Sequence, residues 1–205
     1  MRFFDFLFPP RVDESVLRDA STDDFLQLVA PRLVPGTRPG TVALLPFSDG
    51  RVKAAIHEAK YHGSERAFKL LGTALAEYLR GHDDLENRRA IIVPIPLGKQ
   101  RQKERGFNQV EEVARRALRM LKDANIKIDS SILARTRETP SQVSLPRDKR
   151  EENMRGAFGA AHSLDPAYTY IVIDDVLTTG ATLQAALDAL TATGATHILP
   201  IALAH

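Results

Sequence analysis

The sequence of 205 residues predicts an α/β fold with a mostly parallel sheet flanked by helices. Two observations support this prediction. Apolar strand-like runs alternate with amphipathic helical segments, and the composition, 43% hydrophobic and 26% charged, is that of an ordinary globular protein. In such sheets ligands bind beyond the carboxyl ends of the strands, so functional residues are expected where strands end.

The chain divides into a small, irregular N-terminal appendage, residues 1–40, and one main domain, residues 41–205. Pro and Gly punctuate the end of the appendage, and a helical stretch is expected before them, around VLRDASTDDFLQLVA. The main domain opens with a strand in TVALLPF, a short helix in RVKAAIHEAK and a longer helix in ERAFKLLGTALAEYLRG. The longer helix repeats apolar residues on one face: Phe68, Leu71, Leu75 and Leu79.

The strand RAIIVPIP then leads through a polar loop, LGKQRQKERG, into a helix over residues 108–120. The inward face of this helix is predicted to consist of Val110, Val113, Ala114 and Ala117. SSILART is a candidate strand. The polar stretch after it, residues 136–157, indicates a functional lid, a disordered insert or a wrong assignment of the neighbouring elements. The remaining elements are the strand YTYIVIDDV, the helix TLQAALDALTATG and the strand THILPIALAH.

Composition narrows the function classes. The absence of cysteine excludes structural disulfides and thiolate metal sites, and a cytoplasmic protein without membrane insertion is expected. The six histidines share no spacing typical of a metal site. Residues 91–160 carry 15 basic and 9 acidic side chains, which would attract an anionic ligand or nucleic acid, although a solvated helix face gives the same count.

The most informative stretch is IVIDDVLTTGAT, residues 171–182, where a strand-like run ends on two carboxylates and passes into a loop of small residues. Gly180 permits backbone angles that let neighbouring N–H groups converge, and a helix starting near Ala181 adds its free N–H groups. These features predict a phosphate cradle, whose members would be Thr178, Thr179, Gly180, Ala181 and Thr182.

Asp174 and Asp175 stand directly before that cradle, where the sugar of a sugar phosphate would lie. Carboxylates accept hydrogen bonds from vicinal hydroxyls and help to hold Mg²⁺, directly or through water. The simpler alternative is a turn at Asp175 and a helix cap at Thr179 or Thr182, which leaves the paired acids unexplained. The loops of nucleoside triphosphatases and dinucleotide enzymes, G-x-x-x-x-G-K-[ST] and G-x-G-x-x-G, are absent.

The stretch DDVLTTGAT resembles the phosphoribosyl pyrophosphate (PRPP) motif of type I phosphoribosyltransferases. Four further stretches are similar to the ComF family of competence-related phosphoribosyltransferase-like proteins: LFPPRV, IHEAKYHG, VPIPLGKQRQKERGFNQVEEVA and RETPSQVSLPRDKREENMRGAF. The resemblance covers essentially the whole chain. It implies a type I phosphoribosyltransferase-like fold.

The resemblance also implies roles for individual residues. Asp174 and Asp175 would hold the ribose hydroxyls and Mg²⁺, and residues 178–182 the 5-phosphate. Asp174, Asp175 and Arg105 are the catalytic candidates. Candidates on the pyrophosphate side are Lys60, Arg101, Arg105, Gly106, Asn108 and Gln109. The lid, which would exclude water from the reacting ribosyl centre, would contribute Gln142, Arg147, Arg150 and Asn153.

One departure from the family pattern concerns the N-terminus. Family members commonly carry a four-cysteine zinc knuckle, but Val12 and Ser15 stand about where its first cysteines would be, so no zinc is expected. The aromatic run FFDFLFPP, which includes Phe4 and Phe6, is predicted to pack against the core or a partner.

Three functions remain open at this level. The first is a phosphoribosyltransferase that uses PRPP and Mg²⁺ with an unknown acceptor and has a role in competence and DNA uptake. The second is a non-catalytic PRPP sensor or an adaptor for single-stranded DNA or a competence helicase. The third is nucleobase salvage, against which the RGFNQ and lid segments argue. A homodimer is compatible with the resemblance.

Overall fold

A computed structural model describes residues 11–82, 85, 88–121, 125–137, 153–160 and 163–205. Its helices are α1 (Val12–Asp19), α2 (Thr22–Leu26), α3 (Gly50–His62), α4 (Glu65–Arg80), α5 (Lys99–Arg105), α6 (Gln109–Leu121) and α7 (Ala181–Ala192). Its strands are β1 (Arg32–Val34), β2 (Thr41–Leu45), β3 (Ala90–Pro94), β4 (Ile126–Ile128), β5 (Leu133–Arg135), β6 (Phe158–Ala160), β7 (Thr169–Val176) and β8 (His197–Ala204).

The central sheet has six strands in the order β1-β2-β8-β7-β3-β4. Only β1 is antiparallel to its neighbour; every other pair in this sheet is parallel. Helices cover both of its faces, so the prediction of a mostly parallel sheet flanked by helices is confirmed. Strand β7 lies between β8 and β3 in the interior of the sheet, which brings its carboxyl end close to the loops that follow both neighbours.

The alternation of side chains along β7 divides the core into two layers. Ile171 and Ile173 pack with α3, α4 and α6 on one face, and Tyr170 and Val172 pack with α7 and the β5–β6 pair on the other. All four side chains are buried, with at most 2% of their surface exposed. A strand buried on both faces explains the continuous apolar run in the sequence.

Local signals set the helix boundaries near the site. The Asp49 carboxylate caps α3 by accepting the Arg51 N–H at 2.8 Å, and α3 ends at Gly63 with a left-handed φ of 59°. The Ser64 hydroxyl then caps α4 by accepting the Ala67 N–H at 3.4 Å. The predicted helices in this region and their buried faces are confirmed.

The N-terminal segment contributes to the main core. Leu17 of α1 and Phe25 of α2 are almost completely buried in the layer that contains α4. The predicted appendage therefore contains two short helices and the edge strand β1 in place of irregular chain, while the division at residue 40 stays a prediction. Phe4 and Phe6 lie outside the described residues.

Other elements differ from the sequence prediction. The polar loop after β3 contains the helix α5, which has no buried residue and therefore no apolar periodicity to reveal it. Strand β4 was not predicted, because three residues are too few for a recognisable pattern. SSILART does form a strand, β5, but it pairs antiparallel with β6 in a separate two-stranded sheet.

Among the described residues, no helix combines the length and apolar character needed to cross a membrane.

Candidate functional site

The two adjacent carboxylates lie on opposite faces of β7. Asp174 pairs across the sheet with Ala202, which packs in the α7 layer, and Asp175 makes its contacts with α3 and α6 on the other face. Strand β7 continues through Val176, so both acids belong to its last three residues and do not follow it. Each carboxylate therefore has its own set of neighbours.

Asp175 is the better-partnered acid. Its Oδ2 atom accepts a hydrogen bond from Gln109 Nε2 at 2.6 Å and lies 3.0 Å from Lys60 Nζ. Arg105 extends this network, since its Nη1 donates to Gln109 Oε1 at 2.8 Å while its guanidinium lies 5.2 Å from the centre of the Tyr61 ring. Thus two of the predicted pyrophosphate-side residues contact this carboxylate directly, and Arg105 is joined to it through Gln109.

Asp174 lies in a different environment. Burial and, after it, the negative charge of Asp175 raise its pKa to about 7. The Asp175 N–H, which donates to Asp174 Oδ1 at 2.8 Å, and the charges of Lys60 and Arg135 act in the opposite direction. At neutral pH, Asp174 is consequently divided between its protonated and ionised forms, although part of its surface still reaches solvent.

The five residues of the predicted cradle form the turn from β7 into α7. Gly180 has φ 83°, and a Cβ atom there would lie 2.6 Å from the Gly36 carbonyl oxygen. Only glycine fits without displacing backbone. Gly180 is the N-cap residue of α7 and has no side chain to cap it, and the Ala181 N–H donates to the Thr179 hydroxyl at 3.4 Å. As at any helix N-terminus, the N–H groups that follow Ala181 in the first turn of α7 have no acceptor within the helix, and they point toward this turn.

The segment from Gly36 to Arg38 closes one side of this turn. The Arg38 N–H donates to Gln184 Oε1 at 2.7 Å, and the buried Thr37 shares a hydrogen bond with the Thr41 hydroxyl at 2.7 Å. Sequence reasoning missed this contact, because nothing in PGTRPG indicates which loop it would meet. The N-terminal segment thus supports the backbone of the cradle.

The RGFNQ stretch works as one structural unit. Gly106 ends α5 with φ 77°, and Phe107 packs edge-on against Phe68 with ring centres 5.7 Å apart. Asn108 caps α6 through its Oδ1, which accepts the Val110 N–H at 3.0 Å, and its Nδ2 donates to the Ile95 carbonyl at 3.0 Å. These contacts place Gln109 at Asp175. Gly106 therefore ends α5, and Asn108 caps α6 and joins it to the chain after β3. Arg101, another predicted pyrophosphate-side residue, is an exposed residue of α5.

A cavity of about 360 Å³ lies next to this unit, beyond the ends of β3 and β4. Its walls include Pro94, Pro96, Gly106, Phe107 and Asn108 on the strand and loop side, and Glu111 and Glu112 of α6. The charged residues that line this cavity are both acidic, whereas the residues around Asp175 include the cations Lys60 and Arg105.

Arg135 is a site residue that the sequence analysis missed. Its Nε donates to the Pro96 carbonyl at 3.2 Å, its guanidinium lies 5.0 Å from the Phe158 ring centre, and its charge lowers the pKa of Asp174. It stands just before the predicted lid, and the only signal for it is its place at the end of a candidate strand. Its contacts place it on the Asp174 side of β7.

The lid prediction falls mostly outside the described residues, which include neither Gln142, Arg147 nor Arg150. Asn153 is described, and its backbone carbonyl accepts a hydrogen bond from Arg137 Nη2 at 2.8 Å.

The carboxylates fit the chemistry of Mg²⁺, which prefers oxygen ligands. The Asp175 N–H donates to Asp174 Oδ1, and the Gln109 and Lys60 side chains contact Asp175 Oδ2. Among the described residues, no group forms a hydrogen bond or ion pair with the other oxygen of either acid. These two oxygens are the ones available to a hydrated Mg²⁺ or to ribose hydroxyls.

Comparison with known proteins gives one informative match. The chain is 35% identical over 95 residues to Competence protein F of Haemophilus influenzae. The aligned residues make up 45% of this chain and 40% of that protein, so the match spans less than half of either. No protein-family model matches the chain. The match supports the resemblance to the ComF family that the motifs indicated.

Proposed function

We propose that this relative of Competence protein F binds PRPP together with Mg²⁺ at the carboxyl end of β7, and that ribosyl transfer is the chemistry of the site. We further propose a type I phosphoribosyltransferase-like fold and a role in competence. The acceptor is not identified by any residue of the site.

The observation that carries the proposal is the junction of β7 and α7. Two carboxylates lie at the end of β7, and the turn after them contains a glycine with φ 83° that leads directly into the N-terminus of α7. A phosphate accepted by the N–H groups of the turn would place an attached ribose beside Asp174 and Asp175. A ribose phosphate would contact both the turn, through its phosphate, and the two carboxylates, through its hydroxyls. A simple anion would contact only the turn.

The cationic residues near Asp175 support a pyrophosphate on the other side of the ribose. Lys60, 3.0 Å from Asp175, and Arg105, held by Gln109, supply positive charge on the α3 and α6 side. Such groups favour departure of the pyrophosphate because negative charge develops there in the transition state. When bound, Mg²⁺ would neutralise part of the same charge.

The chain's own residues would thus orient the sugar and stabilise the leaving group. The Asp pair would hold the ribose hydroxyls, and the cradle would fix the 5-phosphate, so that C1 is presented to an acceptor in one orientation. Bond breaking between C1 and the pyrophosphate oxygen would precede bond formation with the acceptor.

The test is calorimetric titration of PRPP with Mg²⁺ into the full chain and into an Asp174→Asn/Asp175→Asn variant. We expect one PRPP per chain and at least a tenfold loss of affinity in the variant. Asp19→Asn is a matched control, because its carboxylate is 80% exposed on α1. Absence of binding to the folded wild-type chain would overturn the proposal.

A second candidate is binding of single-stranded DNA, favoured by a groove of about 430 Å³ between α4 and α6. Four of its six lining residues are basic: Arg66, Lys69, Arg116 and Arg119. Contacts with phosphates would make the affinity fall steeply with salt and fall further in a Lys69→Gln/Arg119→Gln variant. Sub-micromolar binding that persists at high salt would contradict this candidate.

A further inference from the structure

The carboxyl end of α3 carries a cluster of metal-ligating side chains that the proposed function does not use. One coordinating atom each of His57, Glu58 and His62 lies within 4.8 Å of the others. Within this cluster, His62 Nε2 lies 3.9 Å from Glu58 Oε1. The sequence did not reveal this cluster, because one and four residues apart on a helix is a common spacing for unrelated side chains.

A fourth residue orients one of the histidines. Asp13 Oδ2 of α1 lies 2.9 Å from His57 Nδ1. In protein metal sites a ligating imidazole usually donates its second ring N–H to a carboxylate, which fixes the tautomer and the orientation of the ring. With Asp13 paired to Nδ1, the nitrogen of His57 that remains for a metal is Nε2.

The charge of the cluster also favours a cation. The cluster contains three carboxylates and one guanidinium. Glu58 accepts hydrogen bonds from Arg11 at 2.9 and 2.7 Å, Glu14 lies 3.4 Å from Arg11, and Asp13 lies beside His57. The side chain of Glu58 is fully buried, and Arg11 is its ion-pair partner. Each carboxylate oxygen has a second lone pair, so Arg11 does not exhaust the capacity of Glu58.

We propose that His57, Glu58 and His62 bind one divalent transition-metal ion of the Zn²⁺ class, with Asp13 as the outer partner of His57. Nitrogen and oxygen ligands of this kind suit Zn²⁺ and Co²⁺ better than Mg²⁺. A tetrahedral zinc site brings ligand atoms to about 3.4 Å from one another. The two imidazoles, with 49% and 32% of their side chains exposed, have room to rotate inward around the buried carboxylate.

Such an ion would connect α1 to the end of α3, next to Lys60. Because the ligand set does not include either acid of β7, this inference stands or falls independently of PRPP binding.

The experiment is calorimetric titration of Zn²⁺ into the metal-free full chain in the presence of excess Mg²⁺. We expect one Zn²⁺ per chain with a micromolar or tighter dissociation constant, and at least a tenfold weaker affinity in His57→Gln/His62→Gln. His197→Gln is the matched control, because His197 is an exposed histidine on β8. The Asp174→Asn/Asp175→Asn variant should keep the zinc stoichiometry.

Co²⁺ provides a second readout. Visible absorption of the Co²⁺-loaded wild-type chain should show the intense bands of a four-coordinate site, and the double histidine variant should lack them. Both proteins should have the same unfolding midpoint without metal, since both histidines lie at the surface. Equal Zn²⁺ affinity in the wild type and the double variant, or binding no tighter than about 1 mM, would overturn the proposal.

Discussion

Among single residues, the adjacent Asp174 and Asp175 have different surroundings because side chains alternate between the two faces of β7. Asp175 faces Lys60 and Gln109, whereas Asp174 faces the layer that contains Arg135. The sequence places the two acids side by side, and alternation along β7 separates their surroundings. The roles assigned to them remain predictions.

Asp174 should make stability depend on pH. Its pKa is about 7 in the folded chain and near 3.8 in the unfolded chain, so the folded state holds the proton more tightly between these values. Stability is therefore lost as the pH rises from about 4 to 7. Between pH 5 and pH 8 the wild type should lose roughly 2–3 kcal/mol of unfolding free energy through this group. Asp174→Asn removes this loss, so its stability relative to the wild type should be higher at pH 8 than at pH 5 by that amount.

Urea unfolding of both proteins at the two pH values measures this difference. Asp19→Asn, a change at an exposed acid, should show none of it. If the difference in unfolding free energy between the wild type and Asp174→Asn is the same at pH 5 and pH 8, Asp174 has an ordinary pKa.

Arg135 should matter for ligand affinity if the proposed function is right. Arg135→Gln removes the charge near Asp174 and the bond to the Pro96 carbonyl, and we expect PRPP affinity to fall about tenfold, or about 1.4 kcal/mol. Arg135→Lys, which keeps the charge, should lose less. Equal affinities for all three proteins in calorimetry would remove Arg135 from the site.

At the scale of elements, glycine conformation and close backbone approach shape the β7–α7 turn. The sequence predicts the turn because TTGAT combines hydroxyls with a glycine. It does not predict that the Gly36 backbone lies against Gly180, because that contact joins segments far apart in the chain. Similarly, α5 could not be predicted from apolar periodicity, because none of its side chains is buried.

Gly180→Ala tests this turn. The new Cβ would meet the Gly36 oxygen at 2.6 Å in a residue with φ 83°, so we expect a loss of roughly 2 kcal/mol or more in unfolding free energy. Gly50→Ala is the matched control, because a Cβ atom at this first residue of α3 would have no neighbouring atom within 4 Å. A Gly180→Ala protein as stable as Gly50→Ala in urea unfolding would refute the close approach.

At the scale of the whole molecule, residues 11–26 are integrated into the main core. Leu17 and Phe25 are buried there, and Arg11 joins α3 through both oxygens of the buried Glu58. A partly exposed cation thus satisfies a carboxylate that would otherwise be costly to bury. Long-range ties of this kind leave no pattern in the sequence.

Removal of Arg11 should therefore lower the unfolding midpoint of the full chain. We expect Arg11→Gln to be destabilised, because the buried Glu58 loses both charge-assisted bonds. The Arg11→Gln/Glu58→Gln double variant should be no less stable than Arg11→Gln alone, since it buries no unpaired charge. A double variant that shows the full sum of both single losses would contradict this coupling.

The sequence by itself determined the class of fold, the longer helices and strands, and the position of the DDVLTTGAT site at the carboxyl end of a buried strand. These features depend on local periodicity and on residue types such as Gly180, which act over a few positions. Only the folded structure shows that the two acids face opposite layers, that Gly36 lies against Gly180 and that Arg135 lies on the Asp174 side of β7. The physical reason is that strand order and packing bring together groups that are far apart in the chain, and no local pattern encodes those distances.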